Sequence, residues 1–288
     1  MSSIRQSVLF DAPGPKARAR IMVINVLGVL IFLGAAFFVL KALNDKGQLA
    51  PELWTPFLTA DVWQFTILPG LINTFKAAAV AIVTSVVFGL LFGVGRLAAN
   101  ATLRWLCGVI VEFLRAVPVL LMMIFFWLLF GQLQVGTPAD IPFYAVVVAL
   151  TLYNGSVIAE LVRSGVFGLP KGQREAGMAI GMNRGQSLRN IELPQALVAM
   201  LPALVSQFVV ILKDSALGYI ITYSELLRSL QIYGSAGPIL QALTVAAVLF
   251  IIINFTLSWV ANWLSRFLSS RTSGKTEPLT TQPMAVKV

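Results

Sequence analysis

Six long apolar runs constrain the fold of this chain more than any other feature of its sequence. An α-helix rises about 1.5 Å per residue, so about 20 apolar residues cross the hydrocarbon core of a bilayer. Composition agrees, because 58% of the 288 residues are hydrophobic and 11% are charged, against about half and about a quarter in soluble domains. We therefore predict an all-α integral membrane protein with six transmembrane helices. The predicted spans are residues 21–43, 71–95, 106–130, 141–162, 196–221 and 239–267.

The segments between these runs complete the predicted domain organisation. Residues 1–20 form a basic tail, and residues 21–70 add an N-terminal helix with an external segment at the membrane interface, where two tryptophans fit. Residues 71–267 form the transmembrane domain, within which 223–238 is a second interfacial segment. Residues 268–288, rich in Ser, Thr and Pro, are expected to be a disordered tail. A long signal sequence is the alternative interpretation of the first apolar run.

The basic residues are distributed unevenly over the predicted loops. With the N-terminus inside the cell, fifteen of the 21 Lys and Arg residues lie in cytoplasmic segments and four in external ones. This is the positive-inside bias, and six spans return the C-terminus to the cytoplasm. We therefore predict a multi-pass protein of the bacterial plasma (cytoplasmic) membrane with both termini cytoplasmic. The net charge of +9 follows from this topology and does not indicate a nucleic-acid partner.

Residues typical of catalytic sites are scarce. The chain has no histidine and one cysteine, which excludes histidine-based catalysis, histidine metal sites and an internal disulfide. The sequence Gly274-Lys275-Thr276 lacks the first glycine of a phosphate-binding loop, because that position is Ser269. We therefore expect no catalytic residue, no metal, no cofactor and no ATP hydrolysis by this chain alone.

Residues 172–195 form the longest strongly polar segment between two predicted spans. Their spacing is Glu175-Ala176-Gly177, three residues, Gly181, nine residues, Ile191, one residue, then Leu193-Pro194. This spacing resembles the cytoplasmic coupling loop of ABC-transporter permeases, with Gly177 where alanine is usual. Other fragments, in the family's order, are similar to the ABC-importer permeases for polar amino acids (histidine, glutamate, glutamine, arginine and opines). These fragments are residues 112–118, 159–165, 169–173, 193–195 and 212–215.

The resemblance covers roughly residues 63–267 and implies both an architecture and a set of partners. It implies a five-helix permease core preceded by one additional helix, acting as the transmembrane subunit of an ATP-driven importer for a polar amino acid. The implied partners are a dimer of ABC ATPase subunits, a solute-binding protein and a second permease subunit, identical or homologous, within the lipid membrane. One departure from the family pattern, Ser215-Ala216 after Asp214 where Thr-Ser is usual, leaves the spacing intact.

The loop chemistry supports a coupling role. Two short helices separated by Gly181 would lie parallel to the membrane and dock into a groove on an ATPase subunit. Glu175 would accept hydrogen bonds from basic groups there, and Ala176 and Gly177 would keep the contact face shallow. The alternative is a solvated amphipathic loop without a special role. The residues assigned to ATPase coupling are Gln173, Glu175, Ala176, Gly177, Gly181, Arg184, Ile191, Leu193 and Pro194.

Four residues are assigned to the translocation path, namely Lys76, Lys213, Asp214 and Ser215. Lys76 has no acidic residue at i±3 or i±4, so it either snorkels to the interface or attracts an anionic solute such as glutamate. Lys213 and Asp214 follow a long apolar stretch, where ionisable groups are functional or mutually paired. Together with Pro202 they are expected to break the fifth helix.

Three further patterns predict packing rather than function. Gly89 and Gly93 have the spacing of small residues at a close helix contact. Two pairs of opposite charges at i and i+3 are expected to form local ion pairs. These pairs are Glu112 with Arg115 and Glu160 with Arg163.

Two other classes of protein remain as alternatives. A secondary transporter or channel for a small polar solute would need no ATPase, and a membrane anchor would need no loop of fixed spacing. Co-purification separates the three classes, because only an ABC permease has a stoichiometric ATPase partner.

Overall fold

The structure, a computed structural model, describes residues 14–272. Within that range the chain is helical, with no β-strand, as the apolar runs predict. The chain divides into two compact units between Pro56 and Phe57. Residues 1–13 and 273–288, which hold most of the two predicted tails, lie outside the described residues.

The first unit contains α1 (Pro15–Asp45) and α2 (Pro51–Trp54). Because α1 begins at Pro15, residues 15–20 of the predicted basic tail are helical, which corrects the predicted start at residue 21. Proline is favoured in a first helical turn, since its fixed φ suits the helix and its missing N–H is not needed there. Most apolar side chains of α1 are exposed, as expected of a helix that faces lipid.

The second unit contains the remaining helices. They are α3 (Ala60–Val62), α4 (Leu68–Gly95), α5 (Ala101–Ala116), α6 (Val119–Gln132), α7 (Ile141–Phe167), α8 (Lys171–Ala179), α9 (Arg184–Ser187), α10 (Leu193–Ser215), α11 (Leu226–Gly234) and α12 (Ile239–Thr272). Two π-helical turns, Trp63–Ile67 and Leu188–Glu192, lead directly into α4 and α10. Five of the described helices are long and apolar enough to span a membrane, and the bent pair α5–α6 brings the number to six.

Helices α4 and α7 pack closely against each other. Gly89 lies against Ile158, and Gly93 lies against Val162. The absence of side chains at the two glycines lets the helix backbones approach, which is the usual device for helix association in lipid. The small-residue contact predicted from the spacing is therefore confirmed.

The third predicted span is not one continuous helix. Helices α5 and α6 meet at an angle of 97°, which corrects the straight helix predicted over residues 106–130. Val117 between them has extended backbone, with φ −85° and ψ 127°. The ring of Pro118 causes this, because it disfavours helical backbone in the preceding residue and the proline has no N–H to donate.

Helices α4 and α7 run parallel, which determines how the chain passes between them. Near their N-terminal ends, the Nζ atom of Lys76 lies 4.7 Å from the centre of the Phe143 ring. Near their C-terminal ends, Nη1 of Arg96 lies 2.8 Å from Oε2 of Glu160. Residues 97–140 must therefore return from one end of the bundle to the other, so the bent pair α5–α6 acts as one crossing.

Helix α10 runs antiparallel to α7. Met200 near the start of α10 lies against Gly165 near the end of α7, and Gly218 in the 3₁₀ turn after α10 lies against Val146 near the start of α7. Helix α10 is continuous through Pro202, so the break predicted there is wrong. Ser206 Oγ donates a hydrogen bond of 2.9 Å to the Pro202 carbonyl, whereas the carbonyl that the missing N–H of Pro202 leaves without its helical donor is that of Val198. The helix ends at Ser215 and continues as a 3₁₀ turn, close to the break predicted at Lys213 and Asp214.

Helices α11 and α12 complete the second unit. Leu226 and Leu230 of α11 are fully buried and pack with Ala242 of α12, so α11 is an integral part of the bundle. The side chain of Glu225 caps α11. It accepts hydrogen bonds from the backbone N–H groups of Leu227 at 2.8 Å and Arg228 at 2.6 Å. Burial raises the pKa of Glu225 to about 7, although these two hydrogen bonds act in the opposite direction. Helix α12 extends to Thr272, beyond the predicted end at residue 267.

Candidate functional site

The polar segment 172–195 folds into two short helices joined by a turn. After α8 ends, Gly181 adopts a left-handed conformation with φ +85°, which glycine reaches without steric cost. Asn183 and Gln186 then form a capping box at the start of α9, in which each side chain accepts a hydrogen bond of 2.9 Å from the other residue's backbone N–H. The turn predicted at Gly181 is confirmed.

Gly177 faces the second half of its own loop. It is buried, and a Cβ atom added to it would lie 3.0 Å from Ser187 Oγ and 3.0 Å from Ile191 Cδ1. The close approach lets α8 pack against the π-helical turn that leads into α10. The expectation that Gly177 belongs to an outward contact face is therefore wrong, and Gly177 and Ile191 instead hold the loop together.

The outward surface of α8 and the turn after it carries charged and apolar side chains side by side. Glu175 and Ala176 are exposed, as the contact-face interpretation requires. Met178 is 52% exposed and Ile180 is 74% exposed, and the sequence interpretation missed both. The signal was present, because these are apolar residues in an otherwise polar segment, and clustered exposed apolar groups are typical of interaction sites.

Hydrogen bonds connect the loop to helix α10. Nε2 of Gln195 donates to Oε1 of Gln173 at 3.0 Å, which links the start of α10 to the start of α8. Ser187 Oγ donates to Oε1 of the buried Glu192 at 2.8 Å. Pro194 lies in the first turn of α10, but the π-helical turn Leu188–Glu192 leads directly into it, so the helix start predicted at this proline is not confirmed. Movement of α8 would therefore be transmitted to α10.

A groove of about 480 Å³ lies between α8 and the C-terminal ends of α4 and α7. It is lined by Leu97 and Val166 from the bundle and by Glu175 and Arg184 from the loop. Leu193 packs into the apolar cluster that also contains Leu97 and Val166. The loop therefore contacts the C-terminal ends of α4 and α7.

An ion-pair network joins α4, α5 and α7 at the same end of the bundle. The guanidinium of Arg96 lies 2.9 Å from the carboxylate of Glu112 and 2.8 Å from that of Glu160. Arg163 lies 2.6 Å from Glu160. Arg115 lies 3.7 Å from Glu112, so both predicted i, i+3 pairs are confirmed. The sequence interpretation missed Arg96, because a cation on a different helix leaves no local spacing signal.

Of the four residues assigned to the translocation path, only Lys76 lines the cavity at the end of the bundle opposite the loop. This cavity measures about 240 Å³, and Lys213, Asp214 and Ser215 do not contribute to it. Within residues 14–272, Lys213 and Asp214 form no ion pair with each other. Ser215 is fully buried, and its Oγ donates to the carbonyl of Leu212 at 2.7 Å. Ser215 therefore packs inside the bundle in this structure, and its assignment to the path stays a prediction.

One polar contact in the middle of the bundle was also missed. Asn154 of α7 is fully buried, and its Oδ1 accepts a hydrogen bond of 2.6 Å from Nε2 of Gln207 on α10. Isolated polar residues within apolar spans are costly unless they pair across helices. The bond therefore holds α7 and α10 together at mid-span, and its signal was the presence of two isolated amides in apolar runs.

A bundle of five or six apolar helices with a two-helix loop at one end is the architecture of a multi-pass membrane protein. Residues 85–273 match the family described as "Binding-protein-dependent transport system inner membrane component". Since this match covers more than half of the chain, the chain belongs to that family.

Two curated relatives support the assignment. The chain is 48% identical over 220 residues to the glutamate transport system permease protein GluD of Corynebacterium glutamicum, covering 76% of this chain and 81% of the relative. It is 34% identical over 196 residues to the probable glutamine ABC transporter permease protein GlnP of Bacillus subtilis, covering 67% of this chain and 88% of the relative. The resemblance to ABC-importer permeases for polar amino acids is confirmed.

Solved structures show the same fold. An amino acid ABC transporter crystallised with histidines gives a TM-score of 0.66 at 26% identity, covering 73% of this chain and 97% of that chain. The inward-facing MetNI methionine ABC transporter gives a TM-score of 0.63 at 24% identity, covering 73% of this chain and 99% of that chain. The predicted all-α permease architecture is confirmed.

Proposed function

We propose that this permease imports an acidic amino acid such as glutamate, using ATP hydrolysed on a separate pair of ABC ATPase subunits. The loop at residues 172–195 carries the proposal, because it combines the spacing of a coupling loop with a rigid turn and an exposed mixed surface. The absence of a phosphate-binding loop from the sequence supports placing the hydrolysis on another subunit.

The loop gives an ATPase partner a firm point of attachment. Exposed Met178 and Ile180 supply apolar contact area, and exposed Glu175 supplies a hydrogen-bond acceptor beside it. When the ATPase dimer closes, α8 moves with it, and the bond between Gln173 and Gln195 carries the movement to α10. The ion-pair network makes the ends of α4, α5 and α7 move as one unit. This joint movement switches the translocation path from inward-facing to outward-facing.

The remaining subunits follow from the same scheme. A second permease, identical or homologous, pairs with this chain to enclose the path, and a solute-binding protein delivers the amino acid from outside. Glutamate is the proposed solute because the relative with 48% identity is a glutamate permease. Lys76 at the outer end adds a positive charge, but Asp140 lines the same cavity, so the choice of glutamate rests on the relative and not on the lysine. A secondary transporter or channel would have no use for the loop surface.

The proposal predicts a stoichiometric ATPase partner. When this chain is purified through an affinity tag under mild conditions, an ABC ATPase should accompany it. The complex, reconstituted into proteoliposomes with its solute-binding protein, should take up glutamate only when ATP is present on the cytoplasmic side. Glutamate uptake by this chain alone, driven by an ion gradient and unaffected by ATP, would contradict the proposal.

The proposed orientation places the loop and both termini in the cytoplasm. Reporter fusions after Val135 or Ala236 should therefore report the outside of the cell, and fusions after Gly181 or Lys275 the inside. The fusion at Val135 is the decisive one, because it follows the bent pair α5–α6. A cytoplasmic signal there would mean that the pair turns back without crossing.

A further inference from the structure

The cavity at the outer end of the bundle has an unusual combination of charges. It measures about 240 Å³ and lies between α4, the residues before α7, and residues 222–224. Lys76 lines it from α4, and Asp140 lines it from the residue before α7. Within the described part of the chain neither takes part in an ion pair. One cation and one anion thus line the same small cavity, and both residues are exposed.

Each of the two charged groups has a partner that orients it. Lys76 Nζ sits 4.7 Å from the centre of the Phe143 ring, a cation–π contact. The Asp140 carboxylate accepts a hydrogen bond of 2.6 Å from Thr137 Oγ1 through one oxygen, Oδ2. Because a carboxylate accepts several hydrogen bonds and an ammonium donates three, both groups retain capacity for a ligand.

The walls of the cavity are fixed by long-range hydrogen bonds. Tyr223 OH donates to the carbonyl of Asn73 at 2.8 Å, and Asn73 Nδ2 donates to the carbonyl of Ser224 at 2.8 Å. Burial, and then the charge of Glu225, raises the pKa of the Tyr223 hydroxyl, so that it remains a donor. Thr222 adopts a left-handed conformation with φ 65°, which is uncommon for a residue other than glycine and is held here by these bonds.

The chemistry of the cavity fits the head group of an α-amino acid. Such a molecule carries a carboxylate and an ammonium on one carbon, and so needs a cation and an anion close together. The volume is below the roughly 300–1,000 Å³ of pockets for drug-sized ligands, which suits a small solute. A simple anion would be favoured by Lys76 alone and opposed by Asp140, so an amino acid suits the pair better than a simple anion does.

We propose that this cavity binds the zwitterionic head group of the transported amino acid at the outer end of the path, with Lys76 pairing with the α-carboxylate and Asp140 with the α-ammonium. The inference rests on the proposed function, because it supposes that an amino acid is transported. It adds a site, and it assigns Lys76 to the group that all amino acids share rather than to the side chain of glutamate.

Binding of radiolabelled glutamate to the purified complex of permease and ATPase, without the solute-binding protein, tests the proposal. Glutamate should bind, whereas glutarate, which lacks the ammonium, and 4-aminobutyrate, which lacks the α-carboxylate, should bind at least about tenfold more weakly, since an ionic hydrogen bond is worth about that factor or more. Lys76→Gln and Asp140→Asn should each weaken glutamate binding by a similar factor. The exposed residues outside the cavity provide matched controls, Lys46→Gln and Asp61→Asn, which should leave it unchanged.

Exchanging the two charges distinguishes a specific binding site from general electrostatic attraction of glutamate to a positive charge. The double variant Lys76→Asp with Asp140→Lys keeps one cation and one anion in the cavity. It should recover part of the binding that Lys76→Asp alone loses, with the α-carboxylate now at residue 140 and the α-ammonium at residue 76. Equal binding of glutamate and glutarate to the wild type would overturn the proposal. It would also be overturned if the single variants weakened capture of the solute-binding protein and left glutamate binding unchanged, because the cavity would then be a docking site.

Different results would disprove the proposed function and the proposed binding site. If the wild-type complex takes up glutamate with its solute-binding protein but binds no free glutamate, and the single variants transport normally, the site is wrong and the importer assignment stands. If the complex transports no amino acid, both are wrong.

Discussion

Replacing Gly181 with valine should abolish ATP-driven uptake while the protein still inserts into the membrane. Gly181 has φ +85° between α8 and α9, a left-handed conformation that costs an ordinary L-residue roughly 1–2 kcal/mol and a β-branched residue more. Nothing lies within 4 Å of a Cβ added at this position, so backbone strain is the only penalty. The strained turn would change the angle between α8 and α9 and displace the exposed surface of α8.

The measurement compares glutamate uptake and solute-stimulated ATP hydrolysis in proteoliposomes that contain equal amounts of complex. Gly181→Asn is the matched control, because asparagine tolerates the left-handed conformation better than other residues and should retain much of the activity. Glu175→Lys tests the adjacent surface by reversing an exposed charge without straining the backbone, and should also uncouple hydrolysis from the solute. Uptake at the wild-type rate by Gly181→Val or Glu175→Lys would show that the loop is not the coupling element.

The features that could be predicted from the sequence are those encoded by local spacing. The turn at Gly181 and the contact at Gly89 each depend on residue types a few positions apart. The same is true of the ion pair of Glu160 with Arg163. Such patterns determine backbone conformation or the composition of one helix face, and the structure confirms them.

The features that could not be predicted depend on which helices become neighbours. Arg96 meets Glu160, and Lys76 meets Phe143, across more than 60 residues of chain, and no local pattern specifies these contacts. Gly177 was misassigned for the same reason, because whether a glycine admits a partner protein or its own loop depends on the tertiary fold.

The two internal prolines show how one local signal has two outcomes. Pro118 ends a helix, since Val117 before it is extended and α6 leaves at 97°. Pro202 does not, since α10 continues through it from Leu193 to Ser215. A sliding-window hydropathy profile treats Pro118 and Pro202 alike, as interruptions of an apolar run. It therefore cannot distinguish a bent pair of helices from a continuous helix.

Introducing leucine at Gly89 should destabilise the transmembrane bundle more than any substitution in the loop. A Cβ atom at Gly89 would overlap the side chain of Ile158 and lie 2.9 Å from the carbonyl oxygen of Gly155. Ile158 is fully buried and Gly155 presents its backbone, so neither yields without separating α4 from α7. Overpacking of this kind costs about 1–3 kcal/mol, which corresponds to a fall of roughly 2–12 °C in unfolding midpoint for a domain of this size.

Thermal unfolding of the detergent-solubilised complex measures this effect. Gly34→Leu in α1 is the matched control, because a Cβ there meets nothing within 4 Å, and its midpoint should stay within about a degree of the wild type, as expected for a substitution that makes no new contact. The milder Gly89→Ala should also destabilise. Adding Ile158→Ala should cost less than the sum of the two single changes, since the smaller side chain at 158 relieves the overlap and the methyl group at 89 fills part of the cavity that Ile158→Ala leaves. Additive effects of these two substitutions would mean that α4 and α7 do not meet at Gly89. The parallel arrangement that makes α5 and α6 a crossing would then lose one of its supporting contacts.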